Sequence, residues 1–140
     1  MIEEIFADTS GFVSLGNEDD GFHAQAGKIL SSLYPFKFVT TNYVIAETLT
    51  RLLFDTHHKN AVSFGKMLFS SKNIEIVYID TDIEAKAWSL FKKYSDKEFS
   101  FVDCTSFVVM QNRHIKRAFS CDKHFEQMKF VNLLKTKLKS

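Results

Sequence analysis

The sequence predicts an α/β fold built on a mostly parallel, buried sheet. Short apolar runs alternate along the chain with segments whose apolar residues recur about every 3.6 positions, a pattern typical of strands separated by helices. The 140 residues are 45% hydrophobic, which is enough for one domain with a substantial core. A single proline and five glycines leave no linker, so we expect one domain over residues 1–140.

The beginning of the chain predicts one strand and two helices. Residues 5–7 form an apolar run short enough for a buried strand. Asp8 and the two hydroxyl residues after it offer capping side chains for a helix that ends near Gly16. Apolar positions recur with a helical period within residues 21–34, so a second helix follows.

The middle of the chain predicts a strand followed by two helices. Residues 38–41 have the β-branched composition of a strand. Asn42 can cap a long helix that turns Ile45 and Leu49 inward. A further amphipathic helix is expected over residues 60–71.

The rest of the chain continues the alternation. Residues 74–79 give the clearest strand, because they are short, β-branched and bounded by polar residues. Helices are expected over residues 82–94 and 101–111, the second of them mostly apolar, and strands over residues 118–121 and 130–133.

Composition excludes several classes of protein. The hydrophobic content argues against disorder, and no apolar run approaches the roughly 20 residues of a membrane span. The opening residues Met1 to Glu4 lack the basic region of an export signal. Cys104 and Cys121 make no disulfide framework, so we expect a reduced, cytoplasmic protein.

Four acidic residues stand at or near the predicted ends of elements. Asp8 and Asp122 each follow a strand, so both should lie at the carboxyl edge of the sheet, where α/β proteins place their functional cleft. Asp103 lies in the first turn of a helix and Glu47 about one turn into another. Carboxylates held close together raise one another's pKa, and a divalent cation relieves this. A carboxylate set suits Mg²⁺ or Mn²⁺ better than zinc.

Each acid also has a purely structural explanation. Asp8 and Asp122 are suitable caps for the elements that follow them. Ser100-x-x-Asp103 resembles a capping box, and Glu47 is spaced to pair with Arg51 at i, i+4. These explanations weaken when the four acids are considered together, because one fold would bring several carboxylates to one edge.

Four stretches of the chain resemble the motifs of the PIN domain family, and most closely the small toxin ribonucleases of the VapC type. They cover nearly the whole chain in the family's order and are Phe6-Ala7-Asp8-Thr9-Ser10, Thr41-Asn42-Tyr43-Val44-Ile45-Ala46-Glu47-Thr48, Phe101-Val102-Asp103-Cys104-Thr105-Ser106-Phe107 and Phe119-Ser120-Cys121-Asp122-Lys123-His124-Phe125. The resemblance implies a three-layer fold, with a central, mostly parallel sheet flanked by helices. One departure is Lys129, which stands where the family commonly has a glycine before the last strand.

The resemblance further implies metal-dependent hydrolysis of RNA phosphodiester bonds by an endoribonuclease. Asp8 and Asp103 are then the direct ligands of Mg²⁺, with Mn²⁺ as a possible substitute, and Glu47 and Asp122 act through water or orient the attacking water. Three hydroxyl residues could hydrogen-bond the carboxylates or a phosphate oxygen: Thr9, Ser10 and Ser106. His124 is interpreted as a structural turn residue, outside the catalytic set.

Proteins of this kind usually form homodimers and are neutralised by a small antitoxin, so both are expected partners, together with an RNA substrate and no membrane. Aromatic residues of 34–38 and 64–69 could serve such interfaces, although each is individually more typical of a core. The alternative function is a catalytically quiet PIN fold that binds RNA or protein. Receiver domains and haloacid-dehalogenase-type phosphatases fit poorly, because the acids that they require near the first strand are missing.

The net charge of +1 is the sum of two opposite regions. Residues 1–112 carry ten basic and fifteen acidic side chains, whereas residues 113–140 carry eight basic and two acidic ones. The basic excess comes from Arg113, Lys116, Arg117, Lys123, Lys129 and the tail 135–139. This distribution suits an acidic, cation-holding cleft flanked by a surface that binds phosphates, and it suits a solvated face equally well.

Overall fold

Five strands form one sheet in which every neighbouring pair is parallel. The computed structural model describes residues 2–136, and the order across the sheet is β3-β2-β1-β4-β5. The strands are β1 (Glu3–Ala7), β2 (Phe36–Thr41), β3 (Ile74–Val77), β4 (Arg117–Phe119) and β5 (Val131–Asn132). The α/β class with a parallel sheet is thus confirmed.

Helices cover both faces of the sheet and give the expected three layers. They are α1 (Thr9–Gly16), α2 (His23–Leu33), α3 (Asn42–Asp55), α4 (His58–Ser70), α5 (Thr81–Lys93), α6 (Phe101–Arg113), α7 (Lys123–Gln127) and α8 (Leu133–Thr136). Because parallel crossovers are right-handed, the helices between β1 and β3 lie on one face and those between β3 and β4 on the other. Accordingly α1 to α4 pack against one another, and α5 packs against α6.

The core is rich in phenylalanine, and it lies on both faces of the central strands, which are buried by helices on each side. Ile5, Phe6 and Ala7 of β1 are all fully buried, as expected for a parallel strand covered by two helical layers. Phe107 of α6 and Phe125 of α7 meet with ring centroids 5.1 Å apart and planes near perpendicular, a favourable edge-to-face arrangement.

A glycine allows α1 to approach β4 closely. An added Cβ at Gly11 would lie 2.1 Å from the carbonyl oxygen of Phe119. The same carbonyl accepts a hydrogen bond from the Asp8 N–H at 3.2 Å. The absence of a side chain at Gly11 therefore lets the first turn of α1 sit directly against the end of β4.

The cap of α3 differs from the sequence prediction. Thr41 is the capping residue, and its hydroxyl accepts a hydrogen bond from the Val44 N–H at 3.0 Å. Asn42 is already helical, and its side-chain oxygen accepts from the Ile79 N–H at 2.8 Å. Both residue types can cap a helix, but the extended backbone of Thr41 decides which one does.

Several strands are displaced from their predicted bounds. The strand predicted over residues 74–79 stops at Val77, because β2 offers no pairing partner beyond Thr41. The strand predicted over 118–121 lies one residue earlier at its start and ends at Phe119. The last strand is confined to Val131–Asn132. The apolar residues after it, Leu133 and Leu134, belong to α8 and are buried as part of that helix.

Lys129 takes the conformation that explains the usual glycine of the family. Its φ of 71° lies in the left-handed region, which glycine adopts without steric cost. The turn before β5 is therefore retained here with a lysine in a less favourable conformation.

The structure bears on two expectations from composition, about membrane spans and about disulfides, within the residues that it describes. No helix within residues 2–136 is long and apolar enough to cross a membrane. Cys104 is buried and Cys121 half-buried, and both are free thiols. Residues 137–140 of the predicted basic tail lie outside the described part of the chain.

Candidate active site

The carboxyl ends of β1 and β4 meet at the centre of the sheet. The chain leaves these neighbouring strands in opposite directions, because the strand order reverses between them. This reversal opens a crevice beyond the strand ends, which is where α/β sheets bind ligands. Asp8 directly follows β1, and Ser120 and Asp122 follow β4, so the sequence brings polar residues to this crevice from both strands.

Asp8 is held by hydrogen bonds from the elements on either side of it. The side chain caps α1, and its Oδ2 accepts from the Ser10 N–H at 3.4 Å and from the Ser10 hydroxyl at 2.9 Å. The hydroxyl of Ser120 donates to the same oxygen at 3.1 Å. With only 3% of its surface exposed, Asp8 combines the predicted capping role with a fixed position in the crevice.

Asp103 reaches the crevice from the start of α6. The Ser100 hydroxyl accepts from the Asp103 N–H, and the Ser100 N–H donates to Asp103 Oδ2, both at 3.0 Å. This reciprocal pair is the capping box that the sequence predicts. It fixes one oxygen of a carboxylate that is 7% exposed.

His124 joins two of the carboxylates. Its Nδ1 lies 2.9 Å from Asp103 Oδ2 and 3.2 Å from Asp122 Oδ1. The backbone N–H of His124 also donates to Asp122 Oδ1 at 3.0 Å, because the Asp122 side chain caps α7. The ring packs edge-on against Phe99 with centroids 5.5 Å apart. The interpretation of His124 as a turn residue only was therefore incomplete.

Glu47 is oriented by a hydroxyl rather than by a cation. The Thr9 hydroxyl donates to Glu47 Oε1 at 2.5 Å, which links the first turn of α1 to the second turn of α3. Arg51, the predicted i, i+4 partner of Glu47, instead lies 3.7 Å from Asp55.

All four predicted catalytic acids line one cleft of about 210 Å³. Its lining consists of Asp8, Thr9, Ser10, Glu47, Arg51, Glu98, Ser100, Asp103, Asp122 and His124. Five of these ten residues are carboxylic acids, so the cleft has a strongly negative potential when they are ionised.

The crowding of carboxylates disfavours their ionisation. Burial is the main cause that raises the pKa of Asp8 to about 7, and the charge of Asp103 adds to it, against the opposing hydrogen bond from Ser10. Burial likewise raises the pKa of Asp103, with a further contribution from Asp122 and opposition from Ser100 and His124. A bound cation would reverse this effect, because it stabilises the charged forms.

The donor set fits a divalent ion. Asp103, Asp122 and His124 each offer one ligand atom, and these atoms lie within 4.8 Å of one another. Carboxylate oxygens suit Mg²⁺ and Mn²⁺, and an imidazole nitrogen is more readily accepted by Mn²⁺. Asp8 could contribute from the adjoining wall of the same cleft.

The predicted supporting hydroxyls separate into two groups. Thr9 and Ser10 line the cleft and bond its carboxylates, as described above. Ser106 is buried one turn beyond Asp103, is not among the residues that line the cleft, and its hydroxyl finds no hydrogen-bond partner among residues 2–136.

Two residues of the site were missed from the sequence. Ser120 donates to Asp8, and its position directly after a strand was an available signal. His124 was signalled by its place two residues after Asp122, although only the geometry shows which way its ring points.

Part of the predicted basic surface lies at the opposite edge of the sheet. Arg117 at the start of β4 pairs with Glu3 at 2.6 Å, and Arg113 pairs with Glu75. Residues that open parallel strands share the amino edge, which places Arg117 there. Arg113 ends α6 and reaches the same edge through Glu75 near the start of β3, so both arginines lie opposite the acids that follow the strand ends. For these two arginines the ion pairs favour a structural role over a phosphate-binding surface, the two interpretations that the sequence left open.

Comparison with known proteins gives a consistent result. Residues 5–131 match the PIN domain family. Over 129 residues the chain is 34% identical to the 23S rRNA-specific endonuclease VapC20 of Mycobacterium tuberculosis, strains CDC 1551 / Oshkosh and ATCC 25618 / H37Rv, covering 92% of this chain and 97% of the relative.

A solved structure agrees with the sequence relatives. The crystal structure of Mycobacterium tuberculosis VapC20, described as a sarcin-ricin loop cleaving toxin, superposes with a TM-score of 0.86 at 34% identity, covering 91% of this chain and 96% of that one. Fold, site geometry and sequence similarity therefore agree that the chain belongs to the PIN domain family.

Proposed function

We propose that this protein is a metal-dependent endoribonuclease and the toxin of a toxin–antitoxin pair, with residues 1–140 acting as one PIN domain. The observation that carries the proposal is the convergence of Asp8, Glu47, Asp103 and Asp122 in one cleft. The similarity to an endonuclease of the same family, over 92% of the chain, supports it.

The proposed metal is Mg²⁺, with Mn²⁺ as a substitute. Asp8 and Asp103 would hold it directly, and the position of Asp122 makes it a candidate for the same role. When bound, such an ion supplies a lowered pKa for water and stabilisation of the charge that develops on the phosphate.

The side chains of the cleft would divide the remaining work. Glu47, fixed by the Thr9 hydroxyl, would orient the attacking water. Ser10 and Ser120 would hold the Asp8 carboxylate in place, and His124 would keep Asp103 and Asp122 aligned. These contacts preorganise the acids before the substrate arrives, which reduces the reorganisation needed in the transition state.

Ribosomal RNA is the proposed substrate class. The relative is named for 23S rRNA, and its structure for cleavage of the sarcin-ricin loop. We also propose a cytoplasmic location, which the proposed substrate and the two free thiols support.

An antitoxin and a second copy of the chain are the proposed protein partners. Support comes from apolar side chains exposed on α3 and α4, which are Leu53, Phe54, Val62, Met67 and Phe69. Of the aromatics singled out in the sequence, Tyr34 and Phe69 are also exposed, whereas Phe38 belongs to the core. Sedimentation of the purified protein at micromolar concentration should show a dimer, and a clean monomer would contradict that part of the proposal.

Cleavage of labelled RNA tests the proposed activity. Wild-type protein should cut RNA with Mg²⁺ or Mn²⁺ and lose the activity in EDTA, whereas Asp8→Asn and Asp103→Asn should reduce cleavage by at least about a hundredfold. Asp82→Asn, at an exposed acid outside the cleft, is the matched control. Equal cleavage by wild type and the cleft variants would remove the nuclease assignment, and binding of RNA without cleavage would favour the quiet RNA-binding alternative.

A further inference from the structure

A second groove, of about 530 Å³, opens directly beside the acidic cleft. It is lined by Tyr43, Ala46, Glu47, Thr50 and Arg51 of α3 and by Val102 of α6. Glu47 and Arg51 also line the cleft. The two spaces therefore adjoin along these two side chains, so a chain bound at the acids could pass over them into the groove.

Three consecutive turns of α3 present different chemistry along this path. Tyr43, Glu47 and Arg51 are spaced i, i+4 and i+8, so they lie on one face, about one 5.4 Å turn apart. An aromatic ring and a guanidinium thus flank the Glu47 carboxylate on opposite sides. This arrangement suits a polymer that alternates flat rings with anionic groups.

The Arg51 guanidinium is available for an anion. Among the described residues that line the cleft, Arg51 is the only lysine or arginine. Its ion pair with Asp55 is 3.7 Å long, and both side chains are about half exposed, at 49% and 47%. Such exposed pairs contribute little, so a phosphate can displace Asp55 at small cost and be bound by the planar fork of the arginine.

The other end of the groove has the features of a base-stacking surface. The Tyr43 hydroxyl donates to Glu84 of α5, which fixes the orientation of a half-buried ring. Ala46 is small and exposed, and Val102 supplies an apolar wall from α6. Aromatic rings with small apolar neighbours accept bases of single-stranded RNA by stacking.

We propose that this groove is a nucleotide-binding subsite, in which Arg51 binds an RNA phosphate and Tyr43 stacks on a base next to the bond that is cut. The proposal rests on the proposed ribonuclease function and adds positioning residues that the four acids do not provide. RNA is favoured over a protein occupant because the groove adjoins the acidic cleft and shares Arg51 with it, the one arginine among the described residues that line the cleft.

The phosphate contact can be tested by the salt dependence of binding. The probe is a fluorescein-labelled single-stranded decamer of adenosine, bound in Mg²⁺ by full-length Asp8→Asn protein and followed by fluorescence anisotropy. Adding Arg51→Ala should weaken binding about tenfold and reduce the slope of log affinity against log salt by about 0.7, which corresponds to one phosphate. Lys28→Ala, at an exposed lysine of α2, is the matched control and should change neither.

The base contact is tested in the same assay. Tyr43→Ala should weaken binding about tenfold without changing the salt slope, and Tyr43→Phe, which keeps the ring but loses the hydrogen bond to Glu84, should weaken it much less. Ala46→Glu alters an exposed helical position, so the protein should still fold, and it should weaken binding at least as much by placing a carboxylate in the groove. In active protein these variants should raise KM more than they lower kcat.

The outcomes separate this proposal from the proposed function. If wild type cleaves RNA but Arg51→Ala and Ala46→Glu bind within twofold of the parent with an unchanged slope, the subsite is wrong and the nuclease function stands. If the variants keep RNA affinity but lose binding to a purified protein partner, the groove is a protein interface and the subsite is overturned. A wild-type protein that neither binds nor cleaves RNA overturns both.

Discussion

At the scale of single residues, Asp8 is placed where its function and its contribution to stability oppose each other. The carboxylate is buried beside Asp103 and Asp122, and its pKa is raised to about 7. A buried acid that must ionise to bind metal is costly in the metal-free protein. Such conflicts between stability and activity are typical of active sites.

The raised pKa of Asp8 predicts a pH-dependent effect of its removal. The native state holds this proton up to about pH 7, whereas the unfolded chain releases it near 3.8, so the metal-free protein loses stability as pH rises between these values. Asp8→Asn should therefore raise the free energy of unfolding at pH 8, by about 4 kcal/mol at most, and have much less effect near pH 4. Urea unfolding in EDTA measures this, with Asp82→Asn as the control. Destabilisation by Asp8→Asn at pH 8 would contradict the assigned electrostatics.

Two buried serines test which hydroxyls support the site. The Ser120 hydroxyl donates to Asp8 and accepts from the Asp122 N–H at 2.9 Å, whereas the Ser106 hydroxyl has no partner within the described residues. Ser120→Ala should cost about 1–3 kcal/mol, because it leaves a buried group unsatisfied, whereas Ser106→Ala should be neutral or stabilising by up to about 1 kcal/mol. Chemical denaturation in matched buffers distinguishes the pair, and a larger loss at Ser106 would return that residue to the site.

At the scale of elements, the packing of α1 against β4 sets the position of Asp8. Gly11 permits the close contact with the Phe119 carbonyl, which in turn accepts from the Asp8 N–H. The geometry of the cleft thus depends on a residue that does not line it.

Alanine at two helical glycines should give opposite results. At Gly11 the added methyl would lie 2.1 Å from a backbone oxygen, so Gly11→Ala should cost at least about 3 kcal/mol and reduce RNA cleavage. At Gly27, in the exposed part of α2, nothing lies within 4 Å, so Gly27→Ala should stabilise by about 0.5–1 kcal/mol. Thermal unfolding and cleavage rates check both, and a tolerated Gly11→Ala would show that α1 can shift without loss.

The elements, and the placement of the acids at one edge of the sheet, could be predicted from the sequence because their signals are local. The capping pattern of Ser100 and Asp103 and the acids after β1 and β4 each lie within a few residues. The ring of His124 was not predicted, because its direction depends on Phe99 from a distant part of the chain. The location of Arg117 follows from its place in the sequence, since a residue that opens a parallel strand lies at the edge opposite the acids.

At the scale of the whole molecule, the two edges of the sheet differ in how far their charged side chains are paired. At the amino edge, Glu3 pairs with Arg117, and Glu4 and Glu75 share Lys37 and Arg113. At the carboxyl edge the cleft gathers five acids with one arginine and one histidine. The small net charge therefore conceals one edge at which acids and bases are paired and one at which acids are in excess, and the second is the edge where the proposed cation would bind.

This asymmetry predicts that divalent ions stabilise the protein in a pH-dependent way. Under the proposed function, Mg²⁺ or Mn²⁺ binds the native cleft and not the unfolded chain, so the Tm should rise and follow the ion concentration through a binding curve. Because Asp8 and Asp103 must lose protons that they hold more tightly than usual, the increase in Tm should be larger at pH 8 than at pH 6.

Monovalent salt at equal ionic strength separates site binding from general screening. NaCl should raise the Tm much less than the divalent ions do, because salt screens buried charges only weakly. Loss of the ion pairs at the amino edge should also change the Tm little, because exposed pairs contribute little to stability. Asp103→Asn should abolish the divalent shift while leaving the response to NaCl unchanged. A Tm that responds equally to NaCl and Mn²⁺, or that shifts more at pH 6 than at pH 8, would mean that the acids at the carboxyl edge do not act together as a cation site.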